Sequence, residues 1–164
     1  MSDDARAFLN QYLTFTLAGE QYAVEVGKVK EVLEYTSVTK VPRTMEFMRG
    51  VINLRGSVVP VIDLRLKFDL GQTEKTIETS IIVMEVEISG ETVVLGTLAD
   101  SVQEVISMDS SQIEPAPTIG TTINTEFIRG IGKLDEQFVM ILNIDAVFSE
   151  DELSGLAEHA ETGR

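Results

Sequence analysis

A carboxylate at the end of an apolar run is one of the few arrangements here that could do covalent chemistry. Asp63 closes Val58-Val59-Pro60-Val61-Ile62, as a phosphoacceptor aspartate closes a buried strand in a doubly wound receiver domain. That fold needs strands alternating with amphipathic helices of about 10 to 15 residues, and the chain offers hairpins instead. Asp63 is therefore read as a strand-end or turn residue. Glu85 with Glu87, and Glu150 with Glu152, could be imagined as acid and base or as calcium ligands. Neither pair has the clustered oxygens and glycine turn of a calcium loop, and Glu85 and Glu87 alternate with Val86 and Ile88 on the solvated side of a strand.

Nothing else in the inventory supports catalysis. The chain has no cysteine, which removes disulfides, thiol nucleophiles and thiolate metal sites. Its single imidazole, His159, lies in the polar stretch Glu158 to Arg164, where fixed catalytic geometry is hard to maintain. There is no phosphate loop, nucleophile elbow or zinc spacing. No cofactor, no metal site and no enzymatic activity are expected.

The elements that must position any site are mostly strands. Leu13, Phe15 and Leu17 alternate before Ala18-Gly19-Glu20, and Tyr22, Val24 and Val26 alternate after it, the pattern of a hairpin with one buried face. Val86 and Ile88, Ser89-Gly90-Glu91, then Val93 and Leu95 repeat that pattern. Ser80 to Met84, Val58 to Leu64 and Phe138 to Ile144 read as further strands. Pro60 cannot donate to a ladder, which predicts an edge or bulge position for its strand. Val29, Val32 and Leu33 fit either a helical turn or a strand. Ser149-Glu150-Asp151-Glu152 before Leu153 and Leu156 predicts a short C-terminal helix with a capping box.

Sliding the chain along itself exposes an internal repeat. Phe47-Met48-Arg49-Gly50-Val51 matches Phe127-Ile128-Arg129-Gly130-Ile131 at an offset of 80, which also aligns Leu54 with Leu134, Ile62 with Leu142 and Phe68 with Phe148. Val29-Lys30-Glu31-Val32-Leu33 matches Val102-Gln103-Glu104-Val105-Ile106 at an offset of 73, and the two Gly-Glu hairpins match at 71. Two small β subdomains that pack on each other account for this, approximately 12–80 and 81–148, with a helix and tail over 149–164.

Charge narrows the class of partner. The 164 residues carry 27 acidic and 13 basic side chains, a net charge of −14, which disfavours a nucleic-acid binder. Lys28 to Lys67 nevertheless holds eight basic and four acidic residues, a relatively basic seam that either steers toward an acidic protein surface or neutralises the protein's own carboxylates. Within it, Gly56 reads as a hairpin turn that leaves Arg55 at a rim. The repeat counterpart of Arg55 is Asp135, so the fold itself does not require a cation there. The acidic start Met1 to Arg6 and the lack of a long apolar run give no support for secretion or membrane insertion, and the expected location is the cytoplasm.

With these residues in view, the run from Phe47 to Arg65, with Arg55 at its turn, resembles the CheW-like domain family of bacterial chemotaxis. The resemblance extends over nearly the whole chain, including the Gly19 hairpin, Gln112 to Pro117 and Asn143-Ile144-Asp145. It implies an all-β fold of two intertwined five-stranded SH3-like barrels. It also implies a non-enzymatic adaptor that joins chemoreceptors to the histidine kinase CheA, recruited to membrane-associated receptor arrays and entering ring assemblies with CheA. Receptor contact, to the cytoplasmic tip, would fall in the groove between subdomains, on Val29, Glu31, Val32, Gly50, Arg55, Val102 and Val105. Val29 with Val102 and Val32 with Val105 are repeat partners, so a two-sided apolar groove follows from the repeat as well. Contact with the kinase's regulatory domain would fall on Val38, Val41, Arg49 and Val58, with a second, weaker contact at Ile119. The same domain occurs within CheA and, joined to a receiver, in CheV. The length leaves no room for a kinase or receiver domain, so a free-standing adaptor is expected, with a scaffold of some other signalling kinase as the alternative.

Overall fold

The computed structural model describes residues 10–88, 90–115, 125–134 and 136–148. The expected C-terminal helix, His159 and Ile119 lie outside them. Among the described residues eleven strands run in order as β1 (Asn10–Leu17), β2 (Glu20–Glu25), β3 (Val29–Glu34), β4 (Met48–Leu54), β5 (Ser57–Asp63), β6 (Ser80–Ile88), β7 (Glu91–Ala99), β8 (Ser101–Met108), β9 (Ile113–Glu114), β10 (Ile128–Leu134) and β11 (Gln137–Leu142). One helical turn, α1 (Leu64–Lys67), follows β5. The ambiguous stretch after Tyr22 resolves into a 3-10 turn over Val26–Lys28 and then strand β3.

Turn chemistry sets the hairpins. Ala18 and Gly19 have φ of 52° and 84°, and Arg55 and Gly56 have φ of 51° and 89°. Two successive left-handed residues make the tight turn whose twist matches that of antiparallel strands. Beyond Arg55, Asn53 Oδ1 accepts the Gly56 N–H at 2.8 Å and fixes the loop.

The strands form two sheets. Sheet I has the order β3-β6-β7-β5-β4, and sheet II the order β8-β1-β2-β11-β10-β9. Sheet membership does not follow the order of the sequence. Hairpin β1–β2 belongs to the sheet built by the second half, and hairpin β6–β7 completes the sheet of the first. Each exchanged hairpin docks through a short parallel pairing, Tyr22 beside Met140 and Val61 beside Gly96. The halves are intertwined by reciprocal exchange.

Because side chains alternate along a strand, each sheet presents two apolar faces. Ile81, Val83, Ile52, Val59, Val61 and Leu98 fill a core private to sheet I. Tyr12, Ala23, Met108, Val139 and Ile141 do the same in sheet II. The opposite faces meet in a larger shared core that takes Leu13, Phe15, Leu17 and Tyr22 from sheet II and Ile62, Ile82, Met84 and Leu95 from sheet I. Four phenylalanines close it in a repeat-symmetric way. Phe47 packs on Phe148 and Phe68 on Phe127, both at 5.7 Å between ring centroids.

Pro60 does not mark an edge strand, since β5 lies between β4 and β7. Val51 exchanges hydrogen bonds with Thr39 on the outer side of β4, at 2.8 and 2.9 Å. Its pairing with Pro60 is therefore of the non-hydrogen-bonded kind. The missing donor points toward β7, whose pairing with β5 begins only at Val61.

The outer side of β4 is reached through Gly50. Its φ is +146°, and a Cβ there would lie 2.1 Å from the Thr39 carbonyl oxygen. Gly130 plays the same part in the second half, where a Cβ would meet the Glu114 carbonyl oxygen at 2.8 Å. The Thr39–Val51 bridge and the two-residue β9 are the same edge seal made twice.

Gly50→Ala is expected to lower unfolding free energy by about 2 kcal/mol or more, while Gly27→Ala, with nothing within 4 Å, stays near neutral in urea titrations. Tyr22 is buried in the shared core, and that burial, helped by the nearby Glu20 charge, pushes its hydroxyl up to about 12. The unfolded chain then loses this proton near pH 10 while the folded chain retains it, so the contribution of Tyr22 to stability is full below pH 10 and falls toward pH 12. Tyr22→Phe should flatten that alkaline limb in pH-dependent denaturation.

Candidate functional site

Asp63 is fully buried, and its carboxylate is saturated. Oδ2 accepts from Arg49 Nη1 at 3.0 Å and from the Thr73 N–H at 2.8 Å, while Oδ1 accepts from Thr73 Oγ1 at 2.7 Å and from the Arg65 N–H at 3.1 Å. It caps α1 and anchors the loop that leads to β6. A phosphoryl donor has neither access nor a free oxygen to attack. Arg49, expected at a kinase contact, spends its guanidinium inward, on Asp63 and on the Thr73 carbonyl at 3.0 Å. Among the described residues no group of three or more His, Cys, Asp and Glu side chains could hold a metal ion.

Surface geometry separates the residues expected in the receptor groove. Directly opposed residues on paired strands share a sheet face. Val29 sits opposite Met84 and Val32 opposite Ile82, while Val102 sits opposite Phe15 and Val105 opposite Leu13. All four therefore lie on the faces that form the shared core. Val29 and Val102 are partly buried against that core, whereas Val32 and Val105 are 41% and 52% exposed. Both exposed valines stand on edge strands, β3 and β8, where the shared core runs out to solvent. Gly50 is buried beneath Thr39, where a Cβ would meet the Thr39 carbonyl oxygen.

Glu31 and Arg55 are brought together as an ion pair between β3 and the β4–β5 turn. Their half of the molecule has a cleft of about 770 Å³ lined by Lys30, Glu31, Leu54, Arg55, Val58 and Thr92 among others. Val58 is half-buried in its wall, next to Val59, which belongs to the private core of sheet I. Val38 is partly buried against the same core, and Val41 is half-buried nearby in sequence, its carbonyl accepting from Thr44 Oγ1 at 3.1 Å. The pairing of Glu31 with Arg55 thus joins a residue of the expected receptor set to the cleft that holds Val58 of the expected kinase set.

Some surface features escaped the sequence reading. Phe138 is 63% exposed on β11. It is the counterpart of Val58 at the repeat offset of 80, a signal the alignment already contained. Ile77 is fully exposed on a turn held by Thr76 and Thr79, with no periodicity to announce it. Lys67 lies over Phe47, Phe127 and Phe148 at 5.0 to 5.7 Å, a cation set against the phenylalanine cluster between the halves.

Comparison with known proteins agrees with this architecture. The family model described as CheW-like domain matches residues 11–152. A chemotaxis protein CheW of Klebsiella aerogenes is 38% identical over 144 residues, covering 88% of this chain and 84% of its own. The CheW of Bacillus subtilis is 35% identical, covering 85% and 86%. The crystal structure of the scaffolding protein TtCheW from Thermoanaerobacter tengcongensis superposes with a TM-score of 0.76 at 38% identity, covering 87% of this chain and 90% of that one. No helix among the described residues is long and apolar enough to cross a membrane.

Asp63→Ala would leave Arg49 and the Thr73 hydroxyl and N–H without their acceptor and release the loop at Thr73, with an expected loss of about 3 kcal/mol in denaturant unfolding. Incubation of the wild-type protein with acetyl phosphate should leave its mass unchanged.

Proposed function

The chain belongs to the CheW-like domain family, and from that footing we propose that it couples the cytoplasmic tips of chemoreceptors to the regulatory domain of the histidine kinase CheA. It is a chemotaxis adaptor and not an enzyme. The observation that carries the receptor half of the reading is the exposure of Val32 and Val105. They are repeat counterparts on the two edge strands, and they extend the shared apolar core to the surface from both halves. A receptor tip is a helical hairpin, and a helix can lay apolar anchors along such a groove. Val29 and Val102 form the groove's floor, and Arg55, beyond its pairing with Glu31, supplies a charge at the rim.

The kinase half rests on the first cleft. Val58 puts aliphatic surface at the side of sheet I where β4 and β5 turn, with Lys30 and Arg55 lining the same cleft, and Val38 packs on the private core of sheet I beside Gly50. A regulatory domain of the same fold would meet this surface along strand edges. Arg49 and Gly50 contribute by fixing β4, and Val41 flanks it. Through these two surfaces a cytoplasmic protein would be recruited to membrane-associated receptor arrays and take its place in rings with CheA.

Isothermal titration of the full chain against the isolated CheA regulatory domain and against a receptor tip separates the surfaces. Val58→Glu is expected to weaken kinase binding at least tenfold and spare the receptor, and Arg55→Glu to do the reverse, with both variants folded by circular dichroism. No kinase binding at high micromolar concentration would point instead to a CheW-like scaffold serving another kinase. Unchanged receptor binding by folded Arg55→Glu would remove Arg55 from the interface.

A further inference from the structure

The repeat that relates the two halves also relates two clefts, and the second has no assigned role. The first is bounded by Glu31 on β3, by Leu54, Arg55 and Ser57 around the β4–β5 turn, and by Thr92 at the start of β7. The second, of about 630 Å³, is bounded by Glu104 on β8, by Leu134, Glu136 and Gln137 around the β10–β11 turn, and by Gln21 at the start of β2. The offsets of 73, 80 and 71 pair Glu31 with Glu104, Leu54 with Leu134, Ser57 with Gln137 and Thr92 with Gln21. One feature is built twice.

The two differ in their cations. In the first cleft Arg55 reaches Glu31. In the second the counterpart of Arg55 is Asp135, and the Glu104 carboxylate has no cationic partner among the described residues. The counterpart of Lys30 is Gln103, whose side-chain oxygen is occupied by the Gln21 amide. That leaves Gln21 Oε1 buried and without a donor among the described residues. Lys133, across the ladder from Phe138, is already committed to Glu114 at 2.9 Å. A buried amide oxygen without a donor is costly, and the addition of a carboxylate makes a guanidinium the matching group. The Glu104 backbone is fixed on β8, since Thr14 Oγ1 donates to its carbonyl at 2.8 Å and accepts its N–H at 3.0 Å. Ile106 and Leu134 give the cleft apolar walls, and exposed Phe138 lies just beyond Gln137.

We infer that the second cleft is a docking site for an arginine supplied in trans by a partner protein, presented on a turn with an adjoining aliphatic residue that covers Phe138. The partner restores to the second half the cation that Arg55 provides within the first. This assignment stands independently of the receptor and kinase surfaces.

The probe is a cyclic peptide carrying the chain's own turn, Asn-Leu-Arg-Gly-Ser-Val, and a second peptide with citrulline in place of arginine, each titrated into the isotopically labelled full chain. Saturable amide shifts are expected at Gln21, Glu104 and Gln137, about tenfold weaker with citrulline and about tenfold weaker in Glu104→Gln. Equal response to both peptides, no change in Glu104→Gln, or shifts confined to the first cleft would overturn the assignment. Concentration-dependent self-association of the wild type, lost in Arg55→Ala, would give the arginine to a second copy and overturn the assignment to a different partner.

Discussion

Two connections too short to do anything else dictate this architecture. Between β2 and β3 the chain has only Val26, Gly27 and Lys28, and between β7 and β8 only Asp100. Were hairpin β1–β2 to occupy in its own half the place that β6–β7 holds there, β2 would run parallel to β3, and β3 would begin a full strand length away. Six residues of strand span about 20 Å, and three residues of connection reach about 10 Å. Each hairpin is therefore carried into the other sheet. The shared core, the parallel seams at Tyr22 and Val61, and the exposure of the two outer strands all follow.

The hinges at which the chain crosses are clasped by charge, with inverted polarity in the two halves. Lys28 Nζ lies 2.7 Å from Asp145, and Arg65 lies 3.2 Å from Asp100. Asp145 is the repeat counterpart of Arg65, so the cation sits on the crossing in one half and on the receiving segment in the other. Asp100 also accepts the Ala18 N–H, and Asp145 the Glu87 N–H, which ties each hinge to the turn of a hairpin or to the strand beside it. The pairs are partly exposed and each contributes modestly, but they lie where the two sheets hold one another.

Much of this was legible in the sequence, and the reasons for the failures are physical. Gly19 and Gly56 announced hairpins because a turn with two left-handed residues selects them, and the repeat announced two like halves. Periodicity reports which side of a strand is apolar but not which strand lies beside it, so the intertwining of the halves came from the family resemblance and the identity of the exchanged hairpins only from the structure. The four groove valines looked alike in the repeat. Only the distance of each from the shared core separates Val29 and Val102 from Val32 and Val105. The inward bonds of Arg49, to Asp63 and to the Thr73 carbonyl 24 residues away, leave no mark in the local sequence pattern. Pro60 was placed at an edge or bulge; its strand is internal, with a register shift nearby in the β4–β5 ladder, because its missing donor could not be seen to point past the end of β7 pairing.

The parallel seam between β2 and β11 joins Tyr22 to Met140, 118 residues later in the chain. During synthesis the first hairpin leaves the ribosome before any part of the sheet that will receive it. At about 5 to 20 residues per second it waits on the order of 6 to 24 seconds, with Leu13, Phe15, Leu17 and Tyr22 still exposed to solvent. Hairpin β1–β2 is thus made well before it can be seated, and the interval between is when a nascent chain of this fold is most open to a chaperone or to a neighbour on the same message.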